Sequence, residues 1–166
     1  MHQSVTHMAR LNNVSDLVRD FMEALLPLGP RLGVVRFQLP PHFKCNLERL
    51  DDFLGVLPPG HRYAREFRHE TRHEPSVAER LKSAGVALCT VEIEVDKSEI
   101  TTPAPFAYLR FRKSPSYEEE AISRAKGLVK RVAESVEDVH FYVKHDDEKV
   151  APENVKRIAG GDEKVT

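Results

Sequence analysis

An α/β fold with parallel strands is what this sequence predicts, and three observations predict it. Helix-like and strand-like segments alternate along almost the whole chain, the pattern of strands joined by crossover helices. Five short segments read as strands, and at least four of them place apolar and polar residues on opposite faces. The polar face is the third observation. An open doubly wound sheet carries helices on both sides and reads apolar on both. One apolar and one polar face instead fit a closed arrangement with helices outside and the polar set in a lumen. The predicted class is a partial (β/α)8 barrel of the TIM type, about five β/α units with parallel strands.

Each element has its own signal. A helix is expected over 15–26, where Leu17, Val18, Phe21 and Leu25 recur at helical spacing behind Ser15 as N-cap. Pro27, Gly29 and Pro30 stop it. Residues 33–39 follow as a strand, terminated by Pro40 and Pro41. A short helix holding Leu47, Leu50, Phe53 and Leu54 comes next, ended by Pro58, Pro59 and Gly60. A strand over 62–69 leads to a helix around 76–83 with Gly85 as its carboxyl cap. The strand at 86–93 runs into a loop rich in Thr, Ser and Pro. A strand over 106–113, a long helix over 117–136, a strand over 139–144 and a closing helix over 152–158 complete the series. The domain is expected to occupy 1–159, with a flexible tail over 160–166.

The alternation assigns faces. Leu109 and Phe111 lie opposite Tyr108, Arg110 and Arg112, and Val139, Phe141 and Val143 lie opposite His140, Tyr142 and Lys144. Glu66 and Arg68 alternate against Phe67, and Arg36 and Gln38 against Val35 and Phe37. The lumen positions therefore include Arg36, Arg68, Arg110, Arg112 and Lys144 against one carboxylate, Glu66. Burying that much like charge without a partner costs several kcal/mol. A bound anion, or water in an open mouth, relieves it; the plainer alternative is that an incomplete barrel leaves some of these side chains exposed.

Bulk properties exclude several function classes. With 25 basic against 26 acidic residues, the molecule has no overall field for gripping nucleic acid or an acidic membrane. The two cysteines, Cys45 and Cys89, with Cys89 inside an apolar run, favour a reduced intracellular protein over a disulfide scaffold. The start, Met1-His2-Gln3-Ser4, has no signal-peptide pattern, and no run reaches the roughly 18 apolar residues of a membrane span. A cytoplasmic protein without membrane contact is expected. No glycine-rich phosphate loop, nucleophile elbow or CxxC pair is present, and no cofactor is expected.

Several strand-end motifs occur in a recognisable order. They are Leu32-Gly33 with Phe37-Gln38-Leu39-Pro40-Pro41, then Glu66-Phe67-Arg68-His69, then Gly85-Val86-Ala87-Leu88-Cys89. Pro105-Phe106, Tyr108-Leu109-Arg110 and Tyr142-Val143-Lys144-His145-Asp146-Asp147 follow, and Val5-Thr6-His7 precedes the first helix. The set resembles the DUF72, or YecE-like, family of (β/α)8-barrel proteins, over about residues 5–158. Where that family carries a Trp three residues after its Glu-Phe-Arg-His motif, this chain has Arg72. The resemblance implies a fold and a site position, not a reaction. It also implies three β/α units ahead of Val5 that this chain lacks, which leaves two sheet edges for self-association or for a complementing chain.

The chemical motifs separate by geometry. His69-Glu70-Thr71-Arg72-His73 spells the HExxH of zinc proteases, which works when a helix places both histidines on one face. Here His69 closes a strand and Pro75 follows His73 by two residues, so the match is read as chance. A metal held by Glu66, His69 and His145 is disfavoured by Arg68 and Arg110 nearby, and no metal is expected. An anion suits the same strand ends better: Arg68 and Arg110 can each hold an oxyanion in a bidentate fork, Lys144 adds a point charge, and Gln38 can donate a hydrogen bond. Glu66 with His69 or His145 is the candidate acid–base set, the alternative being a salt-bridge layer centred on Glu66. His7, His42 and His61 read as surface residues.

Two functions stay open. The first is an enzyme, or enzyme-derived barrel, that binds a phosphorylated or other anionic substrate and carries out hydrolase- or lyase-type acid–base chemistry. Nucleic acid is its less favoured form, given the near-neutral charge and the absence of Trp. The second is a non-catalytic interaction module that pairs through its open sheet edges.

Overall fold

The computed structural model describes residues 11, 14–40, 46–68, 74–91, 100–112, 118–144 and 150–160. Helix α1 (Ser15–Leu25) buries Val18 and Met22, four residues apart on one face. Ser15 is its first helical residue rather than its cap. Val14 takes the cap position, with no side-chain hydrogen bond, and its carbonyl accepts from Val18 N at 2.8 Å. Because Val14 is itself buried, packing anchors the chain's entry where a hydroxyl cap was expected. A 3-10 turn (Leu26–Arg31) then carries Pro27 near its start, and Gly29 breaks it with φ +50°.

Strand β1 (Val35–Gln38) follows, then α2 (Leu47–Gly55), whose N-cap Asn46 accepts from Arg49 N at 3.0 Å. Strand β2 (Tyr63–Glu66) and helix α3 (Pro75–Ser83) come next. Gly85, at φ +64°, closes α3: its N–H donates to Lys82 O at 3.1 Å, and Val86 N donates to Leu81 O at 2.9 Å. That doubly bonded exit needs a left-handed residue, which is why glycine stands there. The remaining elements are β3 (Ala87–Val91), β4 (Phe106–Phe111), α4 (Glu119–Ala133), β5 (Asp138–Val143) and α5 (Val150–Ala159).

Among the described residues all four strand pairings are parallel, and the order is β1-β2-β3-β4-β5. Each strand sits beside its successor with no reversal. A doubly wound sheet would show a switch point, so this winding is that of consecutive barrel-type β/α units. The first two strands are shorter than the apolar patterns suggested. Tyr63–Glu66 replaces 62–69 because β1, its partner, ends at Gln38, and Pro40 has no N–H to extend the ladder. No helix among the described residues is long and apolar enough to cross a membrane.

The chain divides into two compact units, Met1–Leu88 and Cys89–Thr166, and the boundary falls within β3. In the first unit, β1 and β2 pair from Val35↔Tyr63 to Gln38↔Glu66, and Ala87 and Leu88 pair with Ala64 and Arg65. Its core gathers Val18 and Met22 of α1, Val35 and Phe37 of β1, Leu50 and Phe53 of α2, and Val77 and Leu81 of α3. Phe37 is its hub, edge-on to Phe21 at 5.8 Å and to Phe53 at 5.0 Å between ring centroids. In the second unit, Ala107, Leu109 and Phe111 of β4 pack with Ala121, Ile122, Ala125, Leu128 and Val132 of α4 and with Ile158 of α5. Val139, Phe141 and Val143 of β5 lie against the same cluster. In both units helices cover one strand face, and the alternate residues occupy the other.

Candidate functional site

The first unit gathers its polar groups at the carboxyl ends of β1 and β2. Gln38 and Glu66 end their strands, are partners in register and share a face with Arg36. The Arg36 guanidinium donates to Gln38 Oε1 at 2.8 Å and to Glu66 Oε2 in an ion pair. Glu66 is 1% exposed and the Arg36 side chain 22%, so the carboxylate is enclosed and the guanidinium reaches it from the solvent side. Arg68, two residues beyond Glu66, is exposed. His69 and the rest of the HExxH pentapeptide lie outside the described residues, as do His7, His42 and Cys45. His61 is half-buried, with its ring 6.3 Å from that of Tyr63.

Arg36 thereby enters the site as the side chain that holds both Gln38 and Glu66. Its strand face was legible from alternation; its reach across to Glu66 depends on the β1–β2 register, which no local pattern encodes. Arg65 was also missed. It is fully buried on the helix side, with its guanidinium 4.4 Å from the centroid of Phe53 and 5.6 Å from that of Phe67. Period-two alternation does predict this position, since Arg65 falls in phase with Tyr63 and Phe67. Nearby, the Tyr63 hydroxyl donates to Pro58 O at 2.8 Å, and burial pushes its phenol up to about 12.

The second unit places Arg110 near the end of β4 and Lys144 directly after β5, where Lys144 N donates to Phe111 O at 2.8 Å. Register gives this face a regular build. Phe106 meets His140 edge-on, with ring centroids 5.8 Å apart, and one step further Tyr108 stacks on Tyr142 at 4.8 Å and 25°. Arg110 is the register partner of Tyr142, and Lys144 follows two residues on, on the same face. Arg110 is half-buried, Lys144 exposed, and Tyr142 43% exposed although its partner Tyr108 is buried. Partial burial pushes the Tyr142 phenol up. His145 lies outside the described residues.

Other polar groupings have different characters. A shallow groove between α2 and α3, lined by Asp51, Glu79 and Arg80, is bridged by an Arg80–Asp51 ion pair at 2.9 Å. Among the described residues no group of three or more His, Cys, Asp and Glu side chains could hold a metal ion. Of the three candidate ligands for a metal, Glu66 alone is described, and a guanidinium engages it.

Residues 1–161 match the family described as "Protein of unknown function DUF72". The chain belongs to the DUF72 family. Within it, the chain is similar to the UPF0759 protein YecE of Escherichia coli, 39% identical over 67 residues, which are 40% of this chain and 25% of YecE. It also resembles a DUF72 family protein of Thermotoga maritima, with a TM-score of 0.79 at 20% identity over 95% of this chain and 69% of that one. A DUF72 family protein of Enterococcus faecalis gives a TM-score of 0.72 at 16% identity, over 85% of this chain and 66% of that one. At such identities the likeness is one of fold. The match to YecE spans a quarter of that protein's length.

Proposed function

We propose that this DUF72 protein binds a small anionic ligand, phosphorylated or carboxylated, at the carboxyl ends of its strands. The observation that carries the reading is that Arg110, near the end of β4, and Lys144, directly after β5, fall on the same face, with Lys144 two residues beyond Tyr142, the register partner of Arg110. A guanidinium and an ammonium on one face can each donate a charge-assisted hydrogen bond to the same oxyanion. Arg68, exposed beyond β2, and Gln38 are the corresponding candidates in the first unit. Hydrolase- or lyase-type proton transfer by Glu66 with His69 is the catalytic extension of this reading in the first unit. Supporting it, the Glu66 carboxylate is enclosed and oriented by Arg36, as a positioned catalytic group must be. The test is thermal unfolding with added phosphate or sulfate. Either anion raises the melting temperature of the wild type, and Arg110→Ala or Arg68→Ala diminishes the rise. No protection in any of the three proteins counts against the proposal.

A second reading, pairing through sheet edges with another copy or a complementing chain, is favoured by one observation. Among the described residues β1 pairs only with β2 and β5 only with β4, and two residues of β5, Asp138 and Tyr142, are exposed. Such edges offer unpaired backbone groups to another strand.

A further inference from the structure

The β4–β5 face does more than collect cations. Its side chains run in two diagonal pairs from the amino towards the carboxyl ends of the strands, Phe106 with His140 and Tyr108 with Tyr142, and Arg110 and Lys144 follow two residues on along the same face. Two aromatic rungs thus lead to two cations. The second rung is asymmetric, because Tyr108 is 6% exposed and Tyr142 43%. Tyr142 is held flat by its stacked partner while much of its own surface faces outward. A ring fixed in this way loses little freedom when a second ring stacks on it, which is what makes an aromatic platform effective. The carboxylate this face carries within the two strands, Asp138, stands at the opposite, amino end of β5.

Resting on the anion-binding reading above, we infer that the ligand of this face is a planar aromatic anion, its ring stacked on Tyr142 and its anionic group held by Arg110 and Lys144. The chemistry needed is one flat ring with a phosphate or carboxylate within a bond or two of it, because Arg110 is the register partner of Tyr142 itself and Lys144 stands two residues beyond. Partial burial favours the uncharged Tyr142 phenol over its phenolate.

Isothermal titration of the full chain with inorganic phosphate, phenyl phosphate and benzoate tests the inference, using wild type, Tyr142→Phe and Tyr142→Leu. The expected result is phenyl phosphate binding about tenfold more tightly than inorganic phosphate to wild type and to Tyr142→Phe, with the ratio falling towards one in Tyr142→Leu. Benzoate binding with the same dependence on residue 142 supports the inference with a carboxylate as the anionic group. Equal affinities for phosphate and phenyl phosphate in wild type overturn the ring contact and leave the anion site standing. So does a preference that survives in Tyr142→Leu. Binding of none of the three overturns the anion site and the ring contact together. Tyr142 is partly exposed, so both variants are expected to fold, and a cooperative melt of each verifies this.

Discussion

Arg36 and Glu66 show how one ion pair decides the character of a strand end. Glu66 is enclosed, so removing the Arg36 guanidinium takes a charge partner from a buried carboxylate, which is dearer than losing the attraction alone. Arg36→Ala is expected to destabilise the protein by about 2–3 kcal/mol, less than a fully buried pair because the guanidinium is partly solvated. Glu66→Gln keeps a hydrogen-bond acceptor and is expected to cost only about 1 kcal/mol. Urea unfolding of both variants checks the ranking, and equal losses would mean that the carboxylate is not confined by its partner. Tyr63 offers a second test. Its phenol is raised from the ordinary 10.0 to about 12 by burial, so the folded state holds a proton that the unfolded chain releases sooner. The stabilisation from that proton is complete below pH 10 and is lost as pH rises through about 12. Stability of wild type should fall over that interval more steeply than stability of Tyr63→Phe; parallel curves would contradict the assignment.

At the scale of the elements, helix α3 is the clearest case of sequence chemistry becoming geometry. Gly85 sits at φ +64°, and a Cβ there would meet nothing within 4 Å, so substitution is penalised by backbone conformation alone. Gly85→Ala is expected to lower stability by about 1 kcal/mol, read as a shift in urea midpoint with unchanged slope. A neutral result would show that the exit from α3 relaxes freely. This cap was legible because glycine before an apolar run has few other uses. Faces were legible too: period-two alternation sorted Val35, Phe37, Leu109 and Phe111 from Arg36, Gln38, Tyr108 and Arg110 without knowledge of any partner strand. Pairings were not. That Arg36 reaches Glu66, or that Tyr108 stacks on Tyr142, depends on register between segments some thirty residues apart, and register is settled by helix packing behind the sheet. The cap of α1 was misplaced for a related reason, since burial of Val14 outweighs the local preference for a hydroxyl. Asn46, which caps α2, carried an ordinary local signal that the apolar spacing of that helix overshadowed.

For the whole molecule, family and fold stand together: a DUF72 chain with five parallel strands in sequential order. Edges follow from that order. If β1 and β5 recruit another strand, sedimentation should show self-association that strengthens with concentration, and a monomer at every concentration would speak against pairing between copies. The functional account rests on the carboxyl ends of β4 and β5, and a direct look at bound anion tests it best. Crystals soaked in selenate, a phosphate-sized oxyanion with a strong anomalous signal, should show a peak within hydrogen-bonding distance of both Arg110 and Lys144, lost in crystals of Arg110→Ala. Selenate peaks confined to other surface cations, with none between these two residues, would contradict the account.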